Sequence, residues 1–169
     1  MLAAKALLSG GVDAMELICR SDDEAAAIAA VQEQCPDMLV GAQCATWEAC
    51  EKAAESGAQF LTTPGYSEKI VAWCDERGIP VIPGCVTPSE IMAATVQGVR
   101  IVKFFPAEAF GGMKTLASLA EVFEGVKFLP CGGIDNENLA DYVEAPFVQA
   151  VGGSWLCPAG DINEGNWAA

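Results

Sequence analysis

The sequence predicts an α/β fold, a parallel sheet wrapped by helices, and within this class it favours a TIM-type (β/α) barrel. Apolar strand-like segments alternate with helical segments seven times, at a period of about 20 to 25 residues. The helical segments carry start and stop signals that separate them from the strands. An open doubly wound sheet is the structural alternative. However, no G-x-G-x-x-G sequence follows the first strand, and no G-x-x-x-x-G-K-[ST] sequence occurs.

The amino-terminal elements are predicted from capping signals and apolar runs. A helix over residues 1–8 ends at Gly10-Gly11, and Ser21-Asp22-Asp23-Glu24 is a capping box that opens an alanine-rich helix to about residue 34. The next helix spans residues 46–56 and closes at Gly57. The apolar runs between these helices predict strands over residues 13–19, 38–43 and 60–63.

The same alternation continues beyond residue 63. Gly78 closes a helix over residues 67–77, and Thr87-Pro88-Ser89-Glu90 is a second capping box, opening a helix that ends at Gly98. Two further helices are predicted over residues 113–121 and 136–143. Strands are predicted over residues 80–85, 100–105, 127–130 and 148–151.

The composition is typical of one globular domain over residues 1–169. Of the 169 residues, 52% are hydrophobic and 19% are charged, which is enough to build a buried core. The net charge of −14, with nine Lys and Arg residues, argues against nucleic-acid binding. No apolar run is long enough to span a bilayer and no secretory leader is recognisable, so we expect a cytoplasmic protein without membrane contact.

Cysteine and histidine content narrow the possible chemistry. Eight cysteines occur without a C-x-x-C pair, and with no secretion signal they are predicted to be reduced, buried thiols. Histidine is absent, which excludes Ser-His and Cys-His dyads and the usual histidine-containing zinc sites. Acid–base chemistry in this chain therefore falls to carboxylates, lysine or tyrosine.

One lysine, Lys103, lies in the middle of the apolar run Arg100-Ile101-Val102-Lys103-Phe104-Phe105. A buried ammonium group is costly unless it is paired or loses its proton. A neutral buried amine attacks carbonyl carbons and forms Schiff bases. The alternative is a structural lysine whose stem packs at a sheet edge while its amine reaches water. From this run alone, both interpretations stand.

Two charged residues are predicted to point the same way: Glu16 within the predicted strand 13–19, and Arg20 directly after its C-terminal end. Alternate residues of a strand point the same way, so Glu16 and Arg20 lie together, as do Lys103 and Phe105 on their own strand. If both faces line a barrel interior, a carboxylate, a guanidinium and an amine converge near the C-terminal strand ends, where barrel active sites lie. A buried structural ion pair is the alternative, although such pairs add little stability once desolvation is counted.

Two glycine-rich turns, Cys131-Gly132-Gly133 and Gly152-Gly153-Ser154, follow the last two predicted strands. Loops in these places of a barrel often bind phosphate through bare backbone N–H groups. Either turn alone is weak evidence for a phosphate site, but the two together favour a phosphorylated ligand.

Asp135, beside the first turn, is expected to cap a helix or to face solvent. Thr62-Thr63-Pro64-Gly65 is predicted to be mainly a turn, with Pro64 as a candidate wall of the site.

Five segments together point to one family. The most specific is Val102-Lys103-Phe104-Phe105-Pro106-Ala107-Glu108. The others are Met15-Glu16-Leu17-Ile18-Cys19-Arg20, Gly57-Ala58-Gln59-Phe60 with Pro64-Gly65, Gly132-Gly133-Ile134 and Gly152-Gly153-Ser154-Trp155-Leu156. In their order, and over nearly the whole chain, they resemble the 2-keto-3-deoxy-6-phosphogluconate / 4-hydroxy-2-oxoglutarate (KDPG/KHG) aldolase family. The resemblance implies a class I aldolase barrel, usually a homotrimer, that forms a covalent imine and needs no metal or other cofactor.

The resemblance also implies roles for individual residues. Lys103 is similar to the Schiff-base lysine, and Glu16 to the general acid–base. Arg20 resembles the group that holds the pyruvyl carboxylate, a site to which Cys44 belongs. The remaining candidate contacts are two pocket walls, Phe105 and Pro64, and the phosphate contacts Gly132, Gly133 and Ser154, with Gly152 beside them. The implied substrate is a small 2-keto acid, phosphorylated in view of the glycine turns, which is cleaved to pyruvate and an aldehyde such as glyceraldehyde 3-phosphate.

Three side chains depart from the family pattern. Gln43 and Cys44 stand where the family usually has glycine and threonine, and Cys131 stands where it tends to have threonine. A thiol is a weaker hydrogen-bond donor than a hydroxyl, so we expect weaker binding or an altered substrate before loss of the lysine chemistry. A catalytically impaired phospho-sugar-acid binding protein derived from such an aldolase is therefore the alternative function.

The chain is also expected to be shorter than the family pattern. It opens in what would be the first barrel helix and stops just after Trp167, so the family's first strand and last helix are predicted to be missing. An open seven-stranded barrel, closure by a partner chain and a fragment of a longer protein are the three possible arrangements. We expect a barrel stabilised by contacts in a homo-oligomer, for which the resemblance implies a trimer.

Overall fold

Helices and parallel strands alternate along the chain in the computed structural model, which describes residues 2–21 and 23–166. Of the residues in the predicted segments, Met1, Asp22 and Trp167 lie outside the described ones. The described residues form two compact units, one containing those up to Leu61 and from Ser154 onward, the other residues 62–153. The predicted single domain over residues 1–169 stays a prediction.

The first unit is built on parallel strands covered by helices. Its elements are α1 (Leu2–Ser9), β1 (Ala14–Cys19), α2 (Asp23–Gln34), β2 (Leu39–Cys44), α3 (Trp47–Glu55), the beginning of β3 (Phe60–Thr62), a 3₁₀ helix (Ser154–Leu156) and a last helix (Ala159–Glu164). In the register of β1 and β2, Glu16 lies opposite Gly41 and Cys19 opposite Cys44. Apolar side chains of α2, β2 and α3 are fully buried between the layers and form the core of this unit.

The predicted helix starts of this unit are confirmed. The Thr46 hydroxyl accepts a hydrogen bond from the Ala49 N–H (3.2 Å) at the start of α3. Before α2, the Glu24 carboxylate accepts hydrogen bonds from the Ser21 N–H (2.8 Å) and the Ser21 hydroxyl (2.7 Å). These side chains accept hydrogen bonds from N–H groups at the helix starts that have no partner within the helix. Both boundaries could therefore be predicted from the local sequence.

The second unit repeats the same architecture. After the end of β3 it contains α4 (Glu68–Arg77), β4 (Val81–Ile82), α5 (Pro88–Val96), β5 (Ile101–Phe104), a 3₁₀ helix (Glu108–Phe110), α6 (Gly112–Val122), β6 (Lys127–Pro130) and α7 (Leu139–Val143). β5 and β6 are parallel, with Lys103 opposite Leu129. Val102 and Phe104 of β5 and Phe128 of β6 are fully buried. The strand that carries the lysine is thus part of the core.

The predicted strand over residues 148–151 is present only as isolated bridges to residues on and after β6, so the prediction of a continuous strand is wrong. The Gln149 N–H donates to the Phe128 carbonyl (2.8 Å), and the Gly152 N–H donates to the Pro130 carbonyl (2.9 Å). The chain advances three residues between these bonds while β6 advances two. One extra residue therefore interrupts the regular parallel ladder.

Two other elements begin or end three residues inside their predicted bounds. β4 covers Val81–Ile82 rather than residues 80–85, because the flanking prolines, Pro80 and Pro83, have no N–H to donate to a ladder. α7 begins at Leu139 rather than at residue 136.

Side chains of the preceding turn explain the late start of α7. The Asn138 carbonyl oxygen Oδ1 accepts from the Asp135 N–H (2.9 Å), and Asp135 Oδ1 accepts from the Glu137 N–H (2.8 Å). Such local side-chain bonds compete with helix formation. Asp135 is exposed and acts within this turn, as the sequence predicted.

The capping box at the start of α5 is complete. The Glu90 carboxylate accepts from the N–H groups of Val86 (2.9 Å) and Thr87 (2.8 Å) and from the Thr87 hydroxyl (2.7 Å), which in turn accepts from the Glu90 N–H. Burial opposes ionisation of Glu90, but these hydrogen bonds outweigh it and lower the pKa of the carboxyl group. A carboxylate with a lowered folded-state pKa stabilises the fold above its unfolded-state pKa, and this stabilisation is lost as the pH falls through the folded-state pKa.

We expect Glu90→Ala to lower the free energy of unfolding by about 1 kcal/mol near pH 7, the usual size of a lost cap. The difference from the unaltered chain should shrink as the pH falls below the ordinary glutamate pKa of about 4.3, which applies to the unfolded chain, and on through the lower pKa of the folded state. Urea unfolding followed by circular dichroism across this range measures the effect. Glu48→Ala, which removes a first-turn carboxylate from α3, is the matched control. An equal and pH-independent loss in both variants would contradict the assignment.

Candidate active site

Lys103 is fixed by backbone hydrogen bonds on β5 and is fully buried. Its N–H donates to the Pro83 carbonyl (2.8 Å), and its carbonyl accepts from the Cys85 N–H (2.9 Å). On the opposite side, β5 pairs with β6. The Lys103 side chain has a relative exposure of 0%, so the alternative of an edge lysine reaching water is wrong. The strand holds the amine inside the second unit.

The amine of Lys103 lies between a hydroxyl group and an aromatic ring. Nζ is 3.3 Å from Thr62 Oγ1, and both residues are fully buried. Nζ is also 5.5 Å from the centroid of the Phe105 ring. The amine is thus excluded from bulk water, with a hydroxyl oxygen and an aromatic ring face beside it. A buried lysine amine in such a place can act as a nucleophile towards a carbonyl carbon.

Thr62 is the contact that sequence reasoning missed. The segment Thr62-Thr63-Pro64-Gly65 was predicted to be mainly a turn, and the Thr63 hydroxyl does donate to the Gly65 carbonyl (2.7 Å). Thr62 also lies in the predicted strand 60–63 and is the last residue of β3. The sequence did not indicate that the Thr62 hydroxyl contacts the lysine amine. Its position at the C-terminal end of a strand, where barrel side chains reach the site, was the available signal.

Pro64 is positioned by a close backbone approach. A Cβ atom on Gly84 would collide with the Pro64 carbonyl and the Gly65 nitrogen, so only glycine lets the segment after β4 pack against this turn. Pro64 is half-buried.

Cys85, which follows Gly84, is a buried thiol. Burial raises its pKa to about 12, so it stays a neutral thiol beside the lysine strand.

The loops after β5 and β6 are joined by backbone hydrogen bonds. The Ala107 N–H donates to the Cys131 carbonyl (2.8 Å), and the Glu108 N–H donates to the Gly132 carbonyl (3.1 Å). A Cβ on Gly132 would lie 3.1 Å from Pro106 Cα and 3.4 Å from Phe105 Cδ2. The structure therefore brings the predicted pocket wall Phe105 next to the predicted phosphate loop.

The Gly132-Gly133 turn presents donors suited to an anion. Both residues have positive φ (100° and 80°), a conformation in which other residues are strained. In the part of the chain that the structure describes, neither N–H donates to a backbone carbonyl. Gly152 is bridged to Cys131 and so lies beside the same loop. Successive unengaged N–H groups in such a turn form an anion-binding concavity.

The other predicted site residues lie in the first unit. Glu16 is half-buried on β1, and Arg20, directly after β1, is exposed. Cys44 ends β2 opposite Cys19, so Arg20 and Cys44 lie at the same edge of the parallel pair. Ser154 begins a 3₁₀ helix. The convergence of these residues with Lys103 stays a prediction.

Cys44 is a protonated thiol in a cysteine cluster. The hydrogen bond with Cys50 and burial raise the pKa of Cys44 above its ordinary value, with a smaller contribution from Cys19. All eight cysteines of the chain are free thiols in the structure. A neutral, buried thiol is a weak donor, which supports the expectation that this position binds a carboxylate less strongly than threonine would.

Over residues 2–21 and 23–166, no three Cys, Asp or Glu side chains are grouped so that they could hold a metal ion. Within the same residues, no helix has the length and apolar character needed to cross a membrane.

Comparison with known sequences points to one family. Residues 1–169 match the family model described as "Aldolase: KDPG and KHG aldolase". The chain is 43% identical over 166 residues to the 2-dehydro-3-deoxy-phosphogluconate aldolase of Treponema pallidum (strain Nichols), covering 98% of this chain and 79% of the relative. It is 40% identical over 165 residues to the KHG/KDPG aldolase of Escherichia coli (strain K12), covering 97% and 78%.

Comparison with solved structures agrees. KDPG aldolase from Legionella pneumophila, with pyruvate captured at low pH as a covalent carbinolamine intermediate, has a TM-score of 0.94 and 35% identity, covering 99% of this chain and 82% of that one. The aldolase of Zymomonas mobilis ZM4 with 3-phosphoglycerate has a TM-score of 0.89 and 33% identity, covering 94% and 76%. These matches confirm the predicted fold class, α/β of the TIM-barrel type.

Proposed function

Because the chain belongs to the KDPG and KHG aldolase family, we propose that it cleaves 2-keto-3-deoxy-6-phosphogluconate, or a related 2-keto-3-deoxy or 4-hydroxy-2-oxo acid. The products are pyruvate and an aldehyde, which is glyceraldehyde 3-phosphate for the first substrate. The observation that carries this proposal is the fully buried amine of Lys103, 3.3 Å from the Thr62 hydroxyl. An amine excluded from water in this way is suited to forming an imine with a ketone.

Lys103 starts the reaction by forming a covalent imine. Nζ attacks the C2 ketone of the substrate, and the carbonyl oxygen takes up a proton to give a carbinolamine. A proton delivered by Glu16 to the carbinolamine hydroxyl lets it leave as water, and this produces an iminium ion, which is the electron sink of the reaction. No metal or external cofactor is needed, because the iminium supplies the electrophile that a metal would otherwise provide. The Thr62 hydroxyl orients Nζ during these steps.

Glu16 moves the protons in this proposal. As the C3–C4 bond breaks, its electrons form the enamine of pyruvate, and the carboxylate accepts the proton of the C4 hydroxyl as the aldehyde leaves. The same group then returns a proton to C3 of the enamine. Hydrolysis of the resulting iminium consumes one water, releases pyruvate and regenerates the amine. A single carboxylate can serve both directions because the transfers are successive.

The remaining residues bind the two ends of the substrate. Arg20 and Cys44 hold the pyruvyl carboxylate, the guanidinium by charge-assisted hydrogen bonds. Phe105 and Pro64 form the apolar walls around the reacting carbons. The phosphate is bound by Gly132, Gly133, Gly152 and Ser154. With a net charge of −14, long-range attraction does not help an anionic substrate, so these local donors must carry its affinity.

We also propose a homo-oligomer for this aldolase, a trimer as the family resemblance implies. The cytoplasmic location inferred from the sequence stays a prediction. Light scattering of the purified chain measures the oligomeric state directly.

Borohydride trapping tests the proposed function. With pyruvate and sodium borohydride, we expect a stable adduct that peptide mass spectrometry maps to Lys103, because reduction converts the imine to a secondary amine. Cleavage of 2-keto-3-deoxy-6-phosphogluconate, followed through a coupled pyruvate assay, should accompany it. No adduct in folded protein that still binds the phosphorylated acid would refute the aldolase and favour the impaired binding protein suggested by Gln43 and Cys44.

A further inference from the structure

Glu108 closes the lysine motif and contacts the phosphate loop, yet the proposed reaction assigns it no role. It begins the 3₁₀ helix after β5, and its N–H donates to the Gly132 carbonyl (3.1 Å). Its side-chain oxygen Oε1 accepts a hydrogen bond from the hydroxyl of Tyr142 on α7. Tyr142 has a relative exposure of 1%. One residue thus connects the loop after β5, the loop after β6 and a buried tyrosine.

The stem of Glu108 also shapes the Gly132-Gly133 turn by contact. A Cβ on Gly133 would lie 2.6 Å from Glu108 Cβ and 2.8 Å from Glu108 Cγ. On the other side, a Cβ on Gly112 would lie 2.8 Å from Glu108 Oε1. Glu108 is exposed, but its side chain packs against two glycine backbones, and a larger residue at either glycine would collide with it.

A carboxylate is an unexpected neighbour for a phosphate site, because like charges repel at this range. The tyrosine hydrogen bond gives the carboxylate a fixed partner. Burial, and then the bond to Glu108, raise the pKa of Tyr142, so the hydroxyl remains a donor at physiological pH. Because the Tyr142 hydroxyl stays a donor and the Glu108 carboxylate an acceptor, we expect their hydrogen bond to keep its geometry while anionic substrate binds and leaves.

We propose that Glu108 and Tyr142 form a positioning pair that holds the Gly132-Gly133 turn in the conformation that binds the substrate phosphate. This inference rests on the proposed aldolase function. The pair does not touch the reacting atoms and acts through the turn. It therefore governs affinity for the phosphorylated end of the substrate and leaves imine formation at Lys103 unchanged.

The test compares a phosphorylated substrate with pyruvate, which has no phosphate. For Tyr142→Phe we expect KM for 2-keto-3-deoxy-6-phosphogluconate to rise about tenfold, the effect of losing a hydrogen bond to a charged group. We expect kcat to change less than about twofold. The pyruvate concentration that gives half-maximal borohydride trapping should be unchanged. Glu108→Ala removes the stem as well as the acceptor, so it should raise the same KM at least as much as Tyr142→Phe, and the double variant should be no worse than Glu108→Ala alone.

Two variants separate positioning from general packing. Glu108→Gln keeps the stem and an oxygen acceptor for the Tyr142 hydroxyl, so it should retain a KM near that of the unaltered chain. Tyr66→Phe is the matched control, since the Tyr66 hydroxyl donates to the Ala93 carbonyl (3.2 Å) on α5 and should leave KM unchanged. If Tyr142→Phe does not fold, the contrast between Glu108→Ala and Glu108→Gln decides the question.

Parallel losses of phosphorylated-substrate affinity and pyruvate trapping, or a lower melting temperature with no change in KM, would overturn the positioning role. Failure of the unaltered chain to trap pyruvate would instead refute the proposed function. In that case, calorimetric binding of 3-phosphoglycerate decides the role of the pair. About tenfold weaker binding by Tyr142→Phe supports it, whereas equal binding, or none by the unaltered chain, overturns it.

Discussion

Replacing Lys103 with methionine is expected to lower kcat by at least about 10⁴-fold, because no other group in the proposed mechanism can form the imine. Methionine has a similar length and no polar amine to bury, so the variant should fold as well as the unaltered chain or better. Turnover is measured by the coupled pyruvate assay, and the trapped pyruvate adduct should disappear.

Lys127→Met is the matched control for this substitution. Lys127 lies at the exposed beginning of β6, and its Nζ donates to the Pro146 carbonyl (2.6 Å). It is therefore a lysine like Lys103, but it is not buried. It should retain full activity. Binding of the phosphorylated substrate should survive in Lys103→Met, since the proposed phosphate contacts do not include the lysine amine. Substantial turnover by Lys103→Met would remove the lysine from the mechanism.

The second large effect is expected at Glu16. Glu16→Gln keeps the shape of the side chain but cannot exchange protons, so kcat should fall by about 10²- to 10⁴-fold, the usual contribution of a general acid–base. The amine itself is untouched in this variant. We therefore expect the pyruvate adduct still to form on Lys103, but more slowly, when trapping is followed over time.

Glu33→Gln is the control for Glu16, because it changes an exposed glutamate of α2 in the same unit. It should leave both kcat and the trapping rate unchanged. An unaltered kcat in Glu16→Gln would show that another group transfers the protons. Complete loss of trapping together with loss of folding would show that Glu16 is structural.

The two variants also separate the two steps that sequence reasoning assigned to different strands. Lys103→Met removes the nucleophile and therefore every later step. Glu16→Gln slows the proton transfers that accompany imine formation and C3–C4 cleavage. A variant carrying both changes should be no less active than Lys103→Met, because residues that act in one sequence of steps are not additive.

Local signals determined much of the fold in advance. The capping boxes at Ser21 and Thr87 start helices within two residues of the predicted positions, and β6 covers the predicted residues 127–130. Caps and apolar runs act over a few residues, so their effect is readable without knowing the neighbours. The predictions were wrong where contacts with other segments determine the structure, as in the interrupted pairing of residues 148–151 with β6.

The sequence by itself determined the α/β class and the family, and it predicted which lysine reacts, because a single amine in an apolar run and its flanking motif are local properties. Only the tertiary structure decided what surrounds that amine. Thr62 and Lys103 are 41 residues apart, and Glu108 and Tyr142 are 34 apart. Contacts over such distances depend on how strands and loops pack, and no short-range pattern encodes them. The burial of Lys103, its hydroxyl partner and the contact of Glu108 with the glycine turn are therefore findings of the structure.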